Sequence, residues 1–224
     1  MDVSAEAGRI GALADPTRQA LYEYVAAQPE AVGREAAASA LDLPPHVARF
    51  QLDRLVDAGL LEVEFRRLSG RSGPGAGRPS KLYRRVAETV AVSLPERRYD
   101  LVGHLLAAAI ERTADGTALP DALDAVAKEE GRMLGETATA VDGDELDRTA
   151  AALATQGYEP RRSDDDLVLA NCPFDSLARE HTGLVCGMNH AYVDGVVEGL
   201  GCDHVCARLD PADGRCCVTV TRGA

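Results

Sequence analysis

All six cysteines of this 224-residue chain fall between Cys172 and Cys217. Thiols serving only as small buried hydrophobes need not crowd in this way. The crowding divides the chain. Whatever the first 171 residues build, they build without a thiol, and the last quarter folds around a set of them. His181, His190 and His204 lie in the same stretch. The chain begins on an acidic segment, Met1-Asp2-Val3-Ser4-Ala5-Glu6, without the basic-then-apolar pattern of a secretion signal. Clustered thiols in such a chain point to a metal or iron-sulfur site, or to a redox switch.

Charge divides the chain in the same direction. Residues 1–98 hold 14 Lys and Arg against 13 Asp and Glu, a net of +1, whereas residues 99–224 hold 10 against 23, a net of −13. The whole-chain −12 therefore does not exclude a polyanion partner for the first half. Within residues 60–86, seven basic residues face two acidic ones, a local +5. Such a strip is the electrostatic footprint of a nucleic-acid contact; a solvated basic loop is the plainer alternative. No apolar run approaches the roughly 18 residues of a membrane span, so the expectation is a cytoplasmic protein with no membrane partner.

The first half reads as helix, helix, helix, hairpin. Asp15-Pro16 offers an N-cap and a first-turn proline, and Ala20, Leu21, Tyr24 and Val25 recur at helical spacing. A short helix is expected from about Arg34 to Leu41, and a third from about Pro45 to Ala58, closed by Gly59. In the third, Ala48, Leu52, Leu55 and Val56 form the buried stripe. His46, Phe50, Arg54 and Asp57 lie opposite, with Arg49 and Gln51 at the margins. Phe50 can touch a thymine methyl in the major groove or pack on another element. Leu61–Arg66 and Lys81–Val86 alternate as strands around a Gly- and Ser-rich tip carrying Arg71 and Arg78. The ordered set is that of a winged helix-turn-helix, with the third helix in the major groove and the hairpin on the backbone or in the minor groove. Candidate DNA contacts are His46, Arg49, Phe50, Gln51, Arg54, Arg71, Arg78 and Lys81.

Three phrases of this half, Leu13-Ala14-Asp15-Pro16-Thr17-Arg18, Leu52-Asp53-Arg54-Leu55-Val56-Asp57-Ala58-Gly59-Leu60-Leu61 and Gly77-Arg78-Pro79-Ser80-Lys81-Leu82-Tyr83, resemble ArsR-type bacterial repressors. The resemblance covers roughly residues 8–90. It implies binding to double-stranded DNA, usually as a homodimer on a palindromic operator. It does not imply the metal site of the small ArsR metal sensors, because the cysteine motif of their recognition helix is absent here.

The second half starts helical, about Tyr99–Arg112, Pro120–Gly135 and Asp144–Gln156. The first two are expected to join the head to the rest and to pair with a second subunit; an ordinary intradomain bundle is the alternative. Tyr158–Arg162 and Leu167–Ala170 read as a hairpin over an acidic turn. Helices beginning at Pro173 and Thr182 follow, and residues 203–209 and 215–221 form a second hairpin. The expected fold class is thus α+β in three parts: a winged helix-turn-helix at 1–90, a helical connector and dimerisation region at 91–140, and a cysteine-rich α+β sensor at 141–224.

Helix starts favour thiolates, which singles out Cys172 and Cys186. Alternation in the last strand turns Cys216 inward and Cys217 outward, and alternation in its neighbour turns Cys206 outward. Cys172, Cys186 and Cys216 are therefore the first-choice metal ligands, with Cys202 as a fourth. No CxxC knuckle of structural zinc is present, and long spacing between elements suits an iron-sulfur cluster. Zinc, a small organic ligand or thiol oxidation remain alternatives. An enzyme using a Cys-His pair such as Cys186 with His181 or His190 lacks a recognisable oxyanion site, so a non-enzymatic protein is expected.

Asn171-Cys172-Pro173-Phe174, Leu177-Ala178-Arg179-Glu180-His181, Leu184-Val185-Cys186-Gly187-Met188-Asn189, Glu198-Gly199-Leu200 and Gly214-Arg215-Cys216-Cys217 resemble the sensor half of SufR-like regulators. Those are winged-helix repressors of iron-sulfur assembly genes that carry a cluster. The resemblance implies cluster ligation by Cys172, Cys186 and Cys216. Relatives differ in the fourth ligand, and Cys206 departs from their pattern.

Overall fold

The computed structural model describes residues 3–67 and 79–223. The chain divides into two compact units, Met1–Val92 and Ser93–Ala224.

In the first unit, helix α1 (Val3–Ala12) precedes the helix that the sequence predicts from Asp15. That second helix, α2 (Pro16–Ala26), is capped as its sequence dictates: the Asp15 carboxylate accepts the Arg18 N–H at 2.9 Å. A two-residue strand, β1 (Val32–Gly33), leads into α3 (Arg34–Ala40). Asp42 turns the chain at φ 51, a left-handed position that a short polar side chain tolerates, and α4 (Pro45–Asp57) follows. Leu21, Val25, Ala37, Ala48, Leu52 and Leu55 close the core. Strands β2 (Leu61–Arg66) and β3 (Ser80–Arg85) pair antiparallel, with Val63 opposite Tyr83, and β1 joins the far side of β3.

The second unit runs α5 (Tyr99–Arg112), a short 3-10 turn at Thr113–Asp115, α6 (Leu119–Thr137), α7 (Glu145–Ala154), β4 (Pro160–Ser163), β5 (Asp166–Leu169), α8 (Asp175–Glu180), α9 (Thr182–Gly199), β6 (Val205–Leu209) and β7 (Val218–Arg222). The four strands form one antiparallel sheet in the order β4-β5-β7-β6. Helices α5 and α6 belong to the second unit. Leu101, Leu105, Leu123 and Val126 of α5 and α6 are buried in one cluster with α9 and the sheet, because their apolar stripes find partners within the same unit. Ile110 of α5 is 59% exposed.

Helix α9 is the axle of this unit. Its apolar residues surround it, as expected of a helix covered on most sides, and Val185, Met188, Tyr192, Val193, Val196 and Val197 are all buried. It meets α6 backbone to backbone. A methyl group on Gly195 would stand 2.1 Å from the carbonyl oxygen of Lys128, and one on Gly131 would stand 2.0 Å from that of Tyr192. Lys128 closes the crossing by bonding Asp194 at 2.9 Å and Glu198 at 3.0 Å.

The last strand starts later than the sequence reading has it. Strand β7 begins at Val218, so Cys216 and Cys217 lie in the loop before it. Leu209, the last residue of β6, is 52% exposed.

Candidate thiol centre and nucleic-acid interface

Cys172 precedes a turn, not a helix start. Pro173 and Phe174 bend the chain, the Asp175 N–H donates to the Cys172 carbonyl at 3.2 Å, and α8 begins only at Asp175. The bend is built by the residues around it. The buried Asn171 amide donates to the carbonyl oxygens of Gly157 (2.5 Å) and Glu96 (3.1 Å). Arg97 donates to Asn171 Oδ1 at 2.5 Å and to the Cys172 carbonyl at 3.2 Å. Phe174 is fully buried, edge-on to Tyr158 with ring centroids 6.4 Å apart. The Asn-Cys-Pro-Phe phrase is thus a device that fixes the direction of one sulfur.

Cys186 sits at the beginning of α9 and is half-buried. Cys216 is buried, and its backbone N–H donates to the Leu169 carbonyl at 2.9 Å, which extends the sheet by one bond beyond β7. Its sulfur receives the Asn189 Nδ2–H at 3.1 Å. The Asp210 N–H donates to the Cys217 carbonyl at 2.7 Å.

These four thiols form one group. Cys172 and Cys217 are near enough to Cys216, and Cys217 to Cys186, for the thiols to shift one another's ionisation. The bonds from Cys172 and Cys217 hold Cys216 well below the ordinary thiol range, against the opposing effect of burial. The same bond, and then burial, pushes Cys172 and Cys217 up.

Cys217, which strand alternation turned outward, has its thiol pushed up by Cys216, burial and Cys186. The alternation does not reach it, because the loop after Gly214, which has φ 76, straightens into a strand only at Val218. Cys202 stands outside. Its sulfur approaches the Glu145 carbonyl at 3.9 Å, and burial raises its pKa, moderated by Arg148 and Thr149 of α7. Glu145 accepts the N–H groups of Asp203 (3.2 Å) and His204 (2.8 Å), which ties the loop bearing Cys202 to the start of α7. Cys206 also stands apart, with its sulfur 3.8 Å from Thr221 Oγ1. Among the described residues, no three His, Cys, Asp or Glu side chains converge closely enough to hold a single metal ion. Tetrahedral zinc at about 2.3 Å per sulfur needs such convergence.

On the first unit, His46, Arg49, Phe50 and Arg54 are exposed along α4. Phe50 is 58% exposed, and the Arg54 guanidinium lies 5.7 Å from its ring centroid. Gln51 is half-buried and accepts a hydrogen bond from Arg18 at 3.2 Å, so it serves the fold more than the outer face. Lys81 is likewise engaged. Its ammonium lies 2.6 Å from Asp53 Oδ1, which the Tyr83 hydroxyl also reaches at 2.8 Å. Burial works to raise the Asp53 carboxyl, but the bonds from Lys81 and Tyr83 outweigh it and the net shift is downward. Burial and the Asp53 bond push the Tyr83 phenol up. The basic strip is partly neutralised, because Arg84 pairs with Glu62 and Arg66 with Glu30 and Glu64. Arg71 and Arg78 lie outside the described residues.

No curated protein and no solved structure matches this chain. No helix of the described residues is long and apolar enough to cross a membrane. Residues 13–64, which span α2 to β2, match a protein-family model described as a helix-turn-helix domain, and this part of the chain is similar to the domains through which transcription regulators bind DNA.

Proposed function

We propose that this protein is a transcriptional repressor of the SufR-like kind. It reads a palindromic operator as a homodimer through α4 and the β2–β3 wing. Its signal site is an iron-sulfur cluster held by Cys172, Cys186, Cys216 and Cys217. The reading makes it a cytoplasmic, non-enzymatic regulator. The observation that supports it is the buried Cys216 sulfur, which accepts the Asn189 N–H, with the Cys172, Cys186 and Cys217 thiols near enough to shift one another's ionisation, while Cys202 and Cys206 are held elsewhere.

A bound cluster supplies a redox- and oxygen-sensitive state at the heart of the second unit. The chain's own residues do the rest. Asn171 and Arg97 aim Cys172, the Leu169 carbonyl fixes the backbone of Cys216, and α9 carries Cys186 rigidly against α6. Two states of that packed unit can bias operator affinity in the head, as coupling between distant sites requires.

A second reading has its own support. Cys216 touches two thiols, and thiols in contact can oxidise to a disulfide, so a thiol switch is the alternative. Purification under nitrogen separates the two. Iron and acid-labile sulfide with visible charge-transfer absorption, and operator affinity that changes on exposure to air, are expected. A colourless protein whose thiols all react with alkylating agent, and whose DNA affinity follows a mapped disulfide, would replace the cluster with the switch.

A further inference from the structure

Asn189 places an amide deep within a helix that is otherwise apolar. It is 1% exposed, among Val185, Met188, Tyr192 and Val193. A leucine would fill the space without needing hydrogen bonds, whereas a buried amide must be satisfied. Both ends of this one are. Oδ1 accepts the Tyr158 hydroxyl at 2.5 Å, and Nδ2 donates to the Cys216 sulfur at 3.1 Å. Tyr158 is itself buried, at 3% exposure, and is held edge-on by Phe174, two residues from Cys172. With its oxygen taken by a hydroxyl, the amide has its N–H side committed to the sulfur. Nothing else about the packing of α9 explains this relay.

We propose that Asn189, oriented by Tyr158, is a positioning residue that donates an N–H to the Cys216 sulfur and thereby sets the reduction potential of the thiol site. This rests on the reading of Cys172, Cys186, Cys216 and Cys217 as the signal site. A hydrogen bond to a ligand sulfur favours the more electron-rich, reduced state of a thiolate-bound group. It equally favours reduced sulfur over disulfide. Removing the donor must therefore shift either equilibrium toward oxidation.

The full-length protein, as wild type and as Asn189→Leu, Asn189→Asp and Tyr158→Phe, is reconstituted anaerobically with iron and sulfide. Iron content and midpoint potential are then measured. Asn189→Leu is expected to bind the same iron but to reduce about tenfold less favourably, about 59 mV lower for a one-electron couple. Asn189→Asp, which offers the sulfur an acceptor in place of a donor, should shift further. Tyr158→Phe should shift less, in the same direction. A second arm needs no cluster. The iron-free proteins are equilibrated with glutathione and glutathione disulfide, where each protein disulfide formed reduces one glutathione disulfide to two glutathiones. The oxidised fraction of Cys216 is read by mass spectrometry, and Asn189→Leu should favour oxidation about tenfold. A wild type that takes up no iron would defeat the cluster reading and leave this arm to decide. Unchanged potential and unchanged glutathione equilibrium in Asn189→Leu would overturn the proposal. Should that variant fail to fold, the same null result in Tyr158→Phe, which keeps the ring and its packing, would overturn it.

Discussion

Replacing Cys217 by Ser is expected to cost as much bound iron as replacing Cys172 or Cys216, while Cys202→Ser and Cys206→Ser keep it; iron per chain after anaerobic reconstitution checks this. The Cys217 thiol is near enough to Cys216 and Cys186 to be pushed up by them, whereas the Cys202 sulfur approaches the Glu145 carbonyl of α7. In the head, Asp53→Asn should cost about 1 kcal/mol. Its bond to the buried Tyr83 contributes on that order, and its exposed ion pair with Lys81 adds little. The sign with pH follows from a carboxyl held below its unfolded value. Its stabilisation is present above about pH 4 and is lost as pH falls through the folded pKa. The gap between wild type and Asp53→Asn in urea unfolding should therefore close in acid. Arg49→Ala and Arg54→Ala should each cost roughly 1–3 kcal/mol of operator binding if they read bases. Phe50→Ala should lower operator affinity with little change in Tm, since its ring is mostly in solvent.

At the scale of elements, the α6–α9 crossing is the least tolerant contact. Gly195→Ala puts a methyl against the Lys128 backbone, which no side-chain rotation can relieve. The helices must separate, at a cost of roughly 1–3 kcal/mol or more. Gly183→Ala, where a methyl meets nothing within 4 Å, is the control. Thermal unfolding should show a drop for the first and little change for the second. Because Cys186 rides on α9, the Gly195→Ala protein should also lose iron on reconstitution, which a purely local defect would not cause.

For the whole molecule, the division of charge governs how it meets DNA. The −13 half repels a polyanion, so contacts must come from the +1 half and its basic strip. Operator affinity should fall steeply with salt, and the slope of log affinity against log salt counts the phosphates contacted. A homodimer is expected by sedimentation at micromolar concentration, reading half-sites about one helical turn apart. A monomer with full affinity for a single half-site would contradict it.

Caps, stripes and turns were legible in the sequence because each depends on residues a few positions apart. The Asp15 cap, the buried stripe of Ala48, Leu52 and Leu55, and the β2–β3 pairing all follow from local spacing. The clustering of cysteines in the second half is legible too, and Cys172, Cys186 and Cys216 are the ligands expected from it. Which other sulfur joins them was not. That depended on where β7 starts, and a strand boundary is set by its partner: the bond from Cys216 N–H to the Leu169 carbonyl comes from a strand 47 positions away in sequence. The hold of Glu145 on the loop after Cys202, and the line from Tyr158 through Asn189 to Cys216, likewise join residues that no local pattern connects. Sequence periodicity assigns a face to each side chain, but only packing brings faces from different elements to one point.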